Sequence, residues 1–238
     1  MLFFYIRHGD PIYDPDSLTA LGKRQAEAVA RRLALYGIDE IYASTSTRAI
    51  QTATPTSEIL KKPITKLDFA NESHAWRELT VVREDTGNKS WMFQDMPTRA
   101  LFNTDEVREL GFGWYAHPAF KDYDFKAGID RIQMESDAFF ASFGYVREGV
   151  GKYKVVNGNN KRVAMFAHQG FGLAFLSCII GIPYPMFSSH FDMSHTGLTV
   201  IEFPDEGGYS HPKILTMASD SHLYRDGLPT KYNNSIYF

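Results

Sequence analysis

The sequence contains very little cysteine. Among 238 residues there is a single one, Cys178, in the apolar stretch 175–180. One cysteine excludes a disulfide within the chain, and chains without disulfides are typical of reducing compartments, so we expect a cytoplasmic protein. The apolar neighbours of Cys178 predict a buried, unreactive thiol rather than a catalytic one.

The chain also lacks a strong charge of either sign and any long apolar run. Lys and Arg number 25 and Asp and Glu number 28, for a formal net charge of -3. This balance gives no overall attraction to nucleic acid or to an anionic membrane, so an anion site requires a local group of cations. The apolar segment 1–6 is too short to span a membrane and has no basic leader. We therefore expect neither nucleic acid nor a membrane as a partner.

Strand and helix patterns alternate along most of the chain and predict an α/β fold. Apolar runs predict strands at 2–6, 39–43, 64–69, 162–167, 198–203 and 213–217, the last two joined by a hairpin around 206–208. Amphipathic or apolar segments predict helices at 18–36, 47–60 and 171–180. This order is typical of a three-layer α/β/α domain with a mostly parallel central sheet of about six strands.

Strand patterns disappear between about residues 84 and 153. This segment is rich in aromatic residues, and 129–146 has a helical pattern. We therefore predict a mostly helical insertion within a single domain, lying over one edge of the sheet. Aromatic residues in such a segment are more often core than ligand contacts, although some are expected at the mouth of a site.

Three segments place polar residues at the predicted carboxyl ends of parallel strands. Arg7, His8 and Gly9 follow the first strand, Arg48 begins the helix 47–60, and His168 follows the strand 162–167. Ligands of open α/β sheets bind beyond these strand ends. Guanidinium groups match phosphate oxygens, and a neutral imidazole is a nucleophile. Each residue alone is also compatible with a structural or surface role, but together they predict a phosphate pocket.

These segments resemble the histidine phosphatase superfamily, also called the phosphoglycerate mutase-like fold. The resemblance covers 3–9, 18–33, 41–53, 76–79 and 163–170, includes the helix start at 17–26, and leaves the insertion uncovered. It implies that His8 accepts the phosphoryl group, which Arg7, Arg48 and His168 bind. Gly9 would shape the backbone, and its carbonyl would orient the His8 ring.

The resemblance also implies an acidic proton donor shortly after the third strand. The stretch 76–79 resembles the corresponding element, so we predict Glu78, with Glu72 and Glu84 as alternatives. The donor would protonate the leaving alkoxide and then deprotonate the attacking water.

Three further residues are candidates for substrate contact. Asp10 stands where relatives carry other polar residues, Gln169 stands where they usually carry glycine, and His195 precedes a predicted strand. No histidine has the spacing to a second ligand that a metal site requires, so we predict no metal and no cofactor.

The predicted function is that of a phosphomonoester hydrolase, with a small phosphorylated substrate and inorganic phosphate as a product. Two alternatives stay open: a phosphoglycerate mutase-type phosphotransfer, and a catalytically silent module that binds a phospho-ligand or a protein. Residues 13–16 stand where mutases carry groups that hold the sugar acid, which favours the hydrolase.

Overall fold

The computed structural model describes residues 1–230. Within this part of the chain the strands are β1 (Leu2–Arg7), β2 (Pro11–Tyr13), β3 (Asp16–Leu18), β4 (Glu40–Ser44), β5 (Ile64–Leu67), β6 (Thr80–Val82), β7 (Lys89–Trp91), β8 (Tyr145–Gly149), β9 (Lys152–Val155), β10 (Arg162–Ala167), β11 (Leu198–Glu202), β12 (Tyr209–Ser210) and β13 (Lys213–Ser219). The α-helices are α1 (Ala20–Tyr36), α2 (Thr47–Leu60), α3 (Glu72–Glu78), α4 (Met96–Phe102), α5 (Asp105–Leu110), α6 (Phe125–Ala141), α7 (Gln169–Ile180), α8 (Tyr184–His190) and α9 (Ser221–Arg225).

Six strands form the central sheet, in the order β13-β11-β1-β10-β4-β5. Strands β1, β10, β4 and β5 are parallel to one another, whereas β11 is antiparallel to both β1 and β13. The predicted fold, a mostly parallel sheet of about six strands, is confirmed. The parallel strands bring the segments after β1, β10 and β4 to one edge.

Helices cover both faces of this sheet, because side chains along a strand alternate between the faces. Phe4 packs with Val29 of α1 in the core on one face. On the other face the Phe3 ring lies 5.2 Å from that of Phe140 in α6 and 6.0 Å from that of Phe175 in α7. These two cores give the three-layer α/β/α arrangement.

Local caps set the ends of the first two helices. The Thr19 side chain accepts a hydrogen bond from the backbone N–H of Gly22 at the start of α1, and Gly37 ends this helix with a φ of 70°. Ser46 caps α2, which accommodates Pro55 without interruption. None of the helices within residues 1–230 is both long and apolar enough to cross a membrane.

The segment 84–153 contains the helices α4, α5 and α6, and also short strands that the sequence does not predict. It contains strands β7 and β8 and the start of β9, and the predicted helix 129–146 is instead α6, which ends at Ala141. Gly144, with a φ of 87°, then turns the chain into β8. Strands of three to five residues are too short to show a clear two-residue period, so the pattern missed them. The short hairpin β2–β3 was missed for the same reason.

The connection between the last two strands of the sheet is longer than a simple hairpin. Strands β11 and β13 are antiparallel neighbours, as predicted. Strand β12, however, lies between them in sequence and pairs with β9 outside the central sheet. The glycines at 207 and 208 therefore lead into β12 rather than directly into β13.

Candidate active site

A cavity of about 960 Å³ opens beyond the carboxyl ends of β1, β4 and β10. It is lined by Arg7, His8, Asp10, Pro11, Tyr13, Asp16, Thr45, Ser46, Thr47, Arg48, Asn71, Glu72, Ser73, Trp76, Trp91, Gln94, Gln169 and His195. Most of these residues belong to segments that directly follow a strand or begin a helix.

The His8 ring is buried, and its geometry selects one tautomer. Its Nδ1 lies 2.7 Å from the carbonyl oxygen of Gly9. Because a carbonyl only accepts, Nδ1 carries the proton and Nε2 is left unprotonated. Burial is the main cause that holds the pKa of His8 well below 6.5, and the guanidinium charges of Arg7 and Arg48 act in the same direction. The ring is therefore neutral at pH 7, as a nucleophile requires.

Close backbone contacts fix the loop that carries His8. A Cβ at Gly9 would lie 2.6 Å from the carbonyl oxygen of Gly22, and a Cβ at Gly22 would lie 2.2 Å from that of Asp10. Only glycine permits this approach of the loop to the start of α1. The Gly9 N–H also donates to Oγ1 of Thr52 in α2, at 3.0 Å.

Two guanidinium groups reach the cavity from different elements. Arg7 lies at the end of β1 and donates to the carbonyl oxygen of Met193 at 2.5 Å. Arg48, in the first turn of α2, donates to Oδ1 of Asp16 at 2.8 Å and contacts Nδ1 of His168 at 3.2 Å. Burial lowers the pKa of Arg7, but a guanidinium stays charged in proteins. The cavity thus contains two fixed positive charges.

His168 lies beside His8, with 5.2 Å between the ring centroids. Its ring is fully buried, and its Nε2 lies 2.8 Å from Oγ of Ser44. Burial lowers the pKa of His168 more than the neighbouring Glu72 carboxylate raises it. A neutral imidazole and two guanidinium groups therefore surround His8.

The structure brings Glu72, and not Glu78, to the cavity. Both carboxylate oxygens of Glu78 accept hydrogen bonds from Arg131 on α6, and Glu78 is absent from the cavity lining. Glu72 begins α3, and its carboxylate lies 3.4 Å from Nη2 of Arg48 and 3.3 Å from Nδ1 of His168. Six positions along a helix place two side chains about 120° apart around the axis, so Glu72 and Glu78 face different directions. Glu84 lies outside the cavity lining as well.

Opposing effects act on the Glu72 carboxyl. Burial alone would raise its pKa, but His168, Arg48 and the Gly170 N–H together lower it. Because burial favours the neutral form of His168, the guanidinium and the N–H are what keep Glu72 ionised. Nearness to the end of β5 was the sequence signal for Glu72, since only a 3₁₀ turn at Asp68–Ala70 separates it from that strand.

One group of side chains in the cavity has atoms of the kind that bind metal ions. The ligand atoms of His8, Glu72 and His168 lie within 4.8 Å of one another. The Nη2 atom of Arg48, however, lies within 3.4 Å of both His168 and Glu72. A divalent cation would be repelled by this fixed charge, so the donor set fits an anion better than a metal.

All three candidate substrate contacts line the cavity. The His195 ring lies 5.7 Å from the His8 ring, and its Nδ1 lies 3.5 Å from Oδ1 of Asp10. The Gln169 amide donates to the carboxylate of Asp192. His195 and Asp10 thus lie beside the nucleophile candidate, while Gln169 extends the lining at the start of α7.

Aromatic residues line the mouth of the cavity, where the sequence predicts some of them without saying which. Trp76 is 37% exposed and Tyr13 is 69% exposed. Trp91, in β7, packs against Trp76 edge to face with 5.0 Å between ring centroids. Trp91 was interpreted as one more aromatic residue of a packed insertion, and no pattern in the sequence distinguishes it from its buried neighbours.

Comparison with protein families and solved structures agrees with the geometry. Residues 4–110 match the family model described as histidine phosphatase superfamily (branch 1). The predicted resemblance to this superfamily is therefore confirmed. No match was found among curated protein sequences.

The similar solved structures share the fold at low sequence identity. A mutant phosphoserine phosphatase from Entamoeba histolytica in complex with phosphoserine is 17% identical, with a TM-score of 0.60 over 93% of this chain and 98% of that one. A mycobacterial glucosyl-3-phosphoglycerate phosphatase is 18% identical, with a TM-score of 0.59 over 92% and 98%. An α-ribazole phosphatase from Shigella flexneri is 18% identical, with a TM-score of 0.58 over 92% and 97%. The chain thus has the fold of these phosphatases.

Proposed function

We propose that this protein is a phosphomonoester hydrolase that works through a phosphohistidine intermediate on His8. One observation carries the proposal: a buried, neutral imidazole whose Nδ1–H is held by the Gly9 carbonyl at 2.7 Å. This arrangement leaves the free lone pair of the ring on Nε2, the atom that would attack phosphorus. The phosphatases among the similar structures support the same reaction class.

Arg7, Arg48 and His168 would bind the phosphoryl group around His8. Phosphoryl transfer spreads negative charge over three equatorial oxygens, and preorganised donors stabilise that charge. Two guanidinium groups and a buried imidazole hydrogen-bonded to Ser44 supply such donors. Asp16 and Glu72 hold Arg48 in place before the substrate binds.

Glu72 would act as the acid and then as the base. In the first step His8 Nε2 forms a bond to phosphorus, the bond to the leaving oxygen breaks, and the Glu72 carboxyl gives its proton to that oxygen. In the second step water attacks phosphorus, Glu72 takes a proton from the water, and the P–N bond breaks to give phosphate and neutral His8. The distance of no more than 4.8 Å between ligand atoms of Glu72 and His8 supports this role.

The proton for the first step would arrive with the substrate. The Glu72 carboxyl is ionised before binding because Arg48 and the Gly170 N–H lower its pKa. A phosphate group beside it raises that pKa through like-charge repulsion and also neutralises Arg48. Binding of the ester therefore converts Glu72 from carboxylate to acid.

Metal ions have no role in this scheme, and no cofactor is required. The charge that a metal would supply comes from Arg7 and Arg48. The partner is a small phosphorylated substrate, and the products are an alcohol and inorganic phosphate. The lone, buried Cys178 supports our proposal of a reducing, cytoplasmic location.

A hydrolysis assay separates this function from the alternatives. Purified protein incubated with p-nitrophenyl phosphate should release p-nitrophenol and phosphate in equal amounts over many turnovers. A mutase-type enzyme would turn over a phosphoglycerate isomer faster than it releases phosphate. A silent binding module would release no phosphate above a His8→Asn control. Either result would overturn the proposal.

A further inference from the structure

We infer that the leaving group of the substrate carries an aromatic ring and no acidic group, and that Trp76 and Trp91 bind this ring. The inference rests on the proposed function, because it concerns the same cavity. These two side chains, which we call the indole wall, border Glu72 and would determine which leaving groups bind.

Trp76 lies on the side of the cavity where the leaving group must be. The proton donor faces the leaving oxygen, so Glu72 marks that side. Residues four positions apart on a helix are neighbours on one face, and Trp76 is four positions after Glu72 in α3. The indole lines the cavity and is 37% exposed, so it presents apolar surface to whatever follows the leaving oxygen.

Trp91 completes this wall from a second, rigid element. An alanine methyl at Gly170 would lie 2.5 Å from the Trp91 ring, so the indole rests directly on the backbone at the start of α7. The N–H of the same Gly170 donates to Oε1 of Glu72 at 2.8 Å. Trp91 also stacks on Phe93, with ring centroids 5.7 Å apart. Both indoles therefore border the carboxylate that protonates the leaving oxygen, and their positions are fixed before a substrate binds.

The charges of the cavity disfavour an acidic leaving group. The arginine and lysine side chains in its lining are Arg7 and Arg48, both assigned to the phosphoryl group. Its acidic side chains are Asp10, Asp16 and Glu72, of which Glu72 would be protonated once the ester is bound. A carboxylate on the leaving group would lie near these acidic side chains with no arginine or lysine left to pair with it. The free-energy cost of removing it from water would therefore not be offset. An aromatic, uncharged leaving group avoids this cost and gains contact with the indoles.

Two pairs of substrates test the inference without changing the leaving alkoxide. Adenosine 5′-monophosphate and ribose 5-phosphate share a primary ribose alkoxide and differ in the aromatic base. We expect a kcat/KM about three- to tenfold higher for the nucleotide, because one aromatic contact contributes binding energy of that size. Phosphoethanolamine and phosphoserine differ in one carboxylate, and phosphoethanolamine should be the better substrate of the two.

Variants of Trp76 test whether the preference for the nucleotide over ribose 5-phosphate depends on the two indoles. Trp76→Ala should bring the ratio of kcat/KM for the nucleotide to kcat/KM for ribose 5-phosphate close to one, and Trp76→Phe should retain most of the preference. Tyr224→Ala, which removes an exposed aromatic side chain on α9, is the matched control and should change neither value. A ratio near one in the unaltered enzyme, a ratio that survives in Trp76→Ala, or a preference for phosphoserine would overturn the inference. Absence of hydrolysis of every ester, including p-nitrophenyl phosphate, would instead refute the proposed function.

Discussion

The Glu72 carboxylate accepts a hydrogen bond from the backbone N–H of Gly170 over 2.8 Å. This contact joins the start of α3 to the start of α7, two residues after His168. It holds the carboxylate beside His8 and His168, and an N–H at a helix start favours the ionised form. Glu72, the acid–base candidate, and His168, which we propose to bind phosphate, are therefore positioned by the same two helix ends.

The Glu72 assignment is tested by leaving-group dependence. Glu72→Gln keeps the size of the side chain but has no acidic proton, so alkyl phosphates, which need protonation of a poor leaving group, should lose about 10²–10⁴-fold in kcat/KM. For p-nitrophenyl phosphate, whose product is a stable anion, the loss should be much smaller. Steady-state kinetics on both esters measure the difference.

Glu78→Gln is the matched control for that variant. It makes the same substitution six residues away, where the carboxylate pairs with Arg131 instead of facing the cavity. We expect its kcat/KM to stay within about threefold of the unaltered enzyme on both esters, with a modest loss of stability. If Glu78→Gln shows the large, leaving-group-dependent loss and Glu72→Gln does not, the acid is Glu78.

The lowered pKa of His8 predicts the acid side of the pH profile. Burial and the charges of Arg7 and Arg48 disfavour the imidazolium of His8, so His8 stays neutral as the pH falls through 6.5. The loss of kcat/KM that comes from protonation of the nucleophile should therefore have its midpoint below pH 6.5. Initial rates measured across the acid range locate that midpoint, and a limb centred at 6.5 or above would show an unperturbed, exposed histidine.

Divalent metals should inhibit the enzyme rather than activate it. A metal held by His8, Glu72 and His168 would occupy the nucleophile, and Arg48 opposes its binding. EDTA should leave turnover unchanged, added Zn²⁺ should reduce it, and vanadate should compete with substrate for the two guanidinium groups. Loss of turnover in EDTA, restored by a divalent ion, contradicts this.

Gly170 should be intolerant of even one methyl group. In Gly170→Ala the new methyl would lie 2.5 Å from the Trp91 ring, which also packs against Trp76 and Phe93. We expect a net loss of about 1–3 kcal/mol in the free energy of unfolding, measured by denaturant titration. Gly113→Ala, where nothing lies within 4 Å of the added methyl, is the control and should not destabilise. Equal stability of the two variants would show that Trp91 is not fixed on Gly170.

Long elements could be predicted from the sequence, and short ones could not. The strand 162–167 and the helix 47–60 have the predicted bounds, because long apolar or amphipathic runs carry a clear period. The three-residue strands of the β2–β3 hairpin carry none, yet they bring Asp16 to Arg48. The phosphate-binding candidates could also be predicted from the sequence, because they directly follow strands that the apolar pattern identifies.

The choice of glutamate depended on geometry that a motif does not contain. Glu72 is the first residue of α3 and Glu78 is the last. The packing of α3 on α6 and α7 determines which side of this helix faces the cavity. Arg131, which takes Glu78 away from the cavity, is 53 residues distant in sequence. The position of Trp91 could not be predicted from the sequence either, since only its contact with Gly170 reveals that it borders the site.

The central claim, a phosphoryl group on His8, is tested most directly by trapping the intermediate. The enzyme is mixed with ³²P-labelled p-nitrophenyl phosphate, whose leaving group needs no proton from Glu72, denatured rapidly in base, and digested for peptide mapping. The account predicts label that is stable in base, lost in mild acid, and confined to the peptide containing His8. It also predicts more label in Glu72→Gln, because the base that activates water is gone, and none in His8→Asn. Hydrolysis at full rate without any label on His8, or full turnover by His8→Asn, would contradict it.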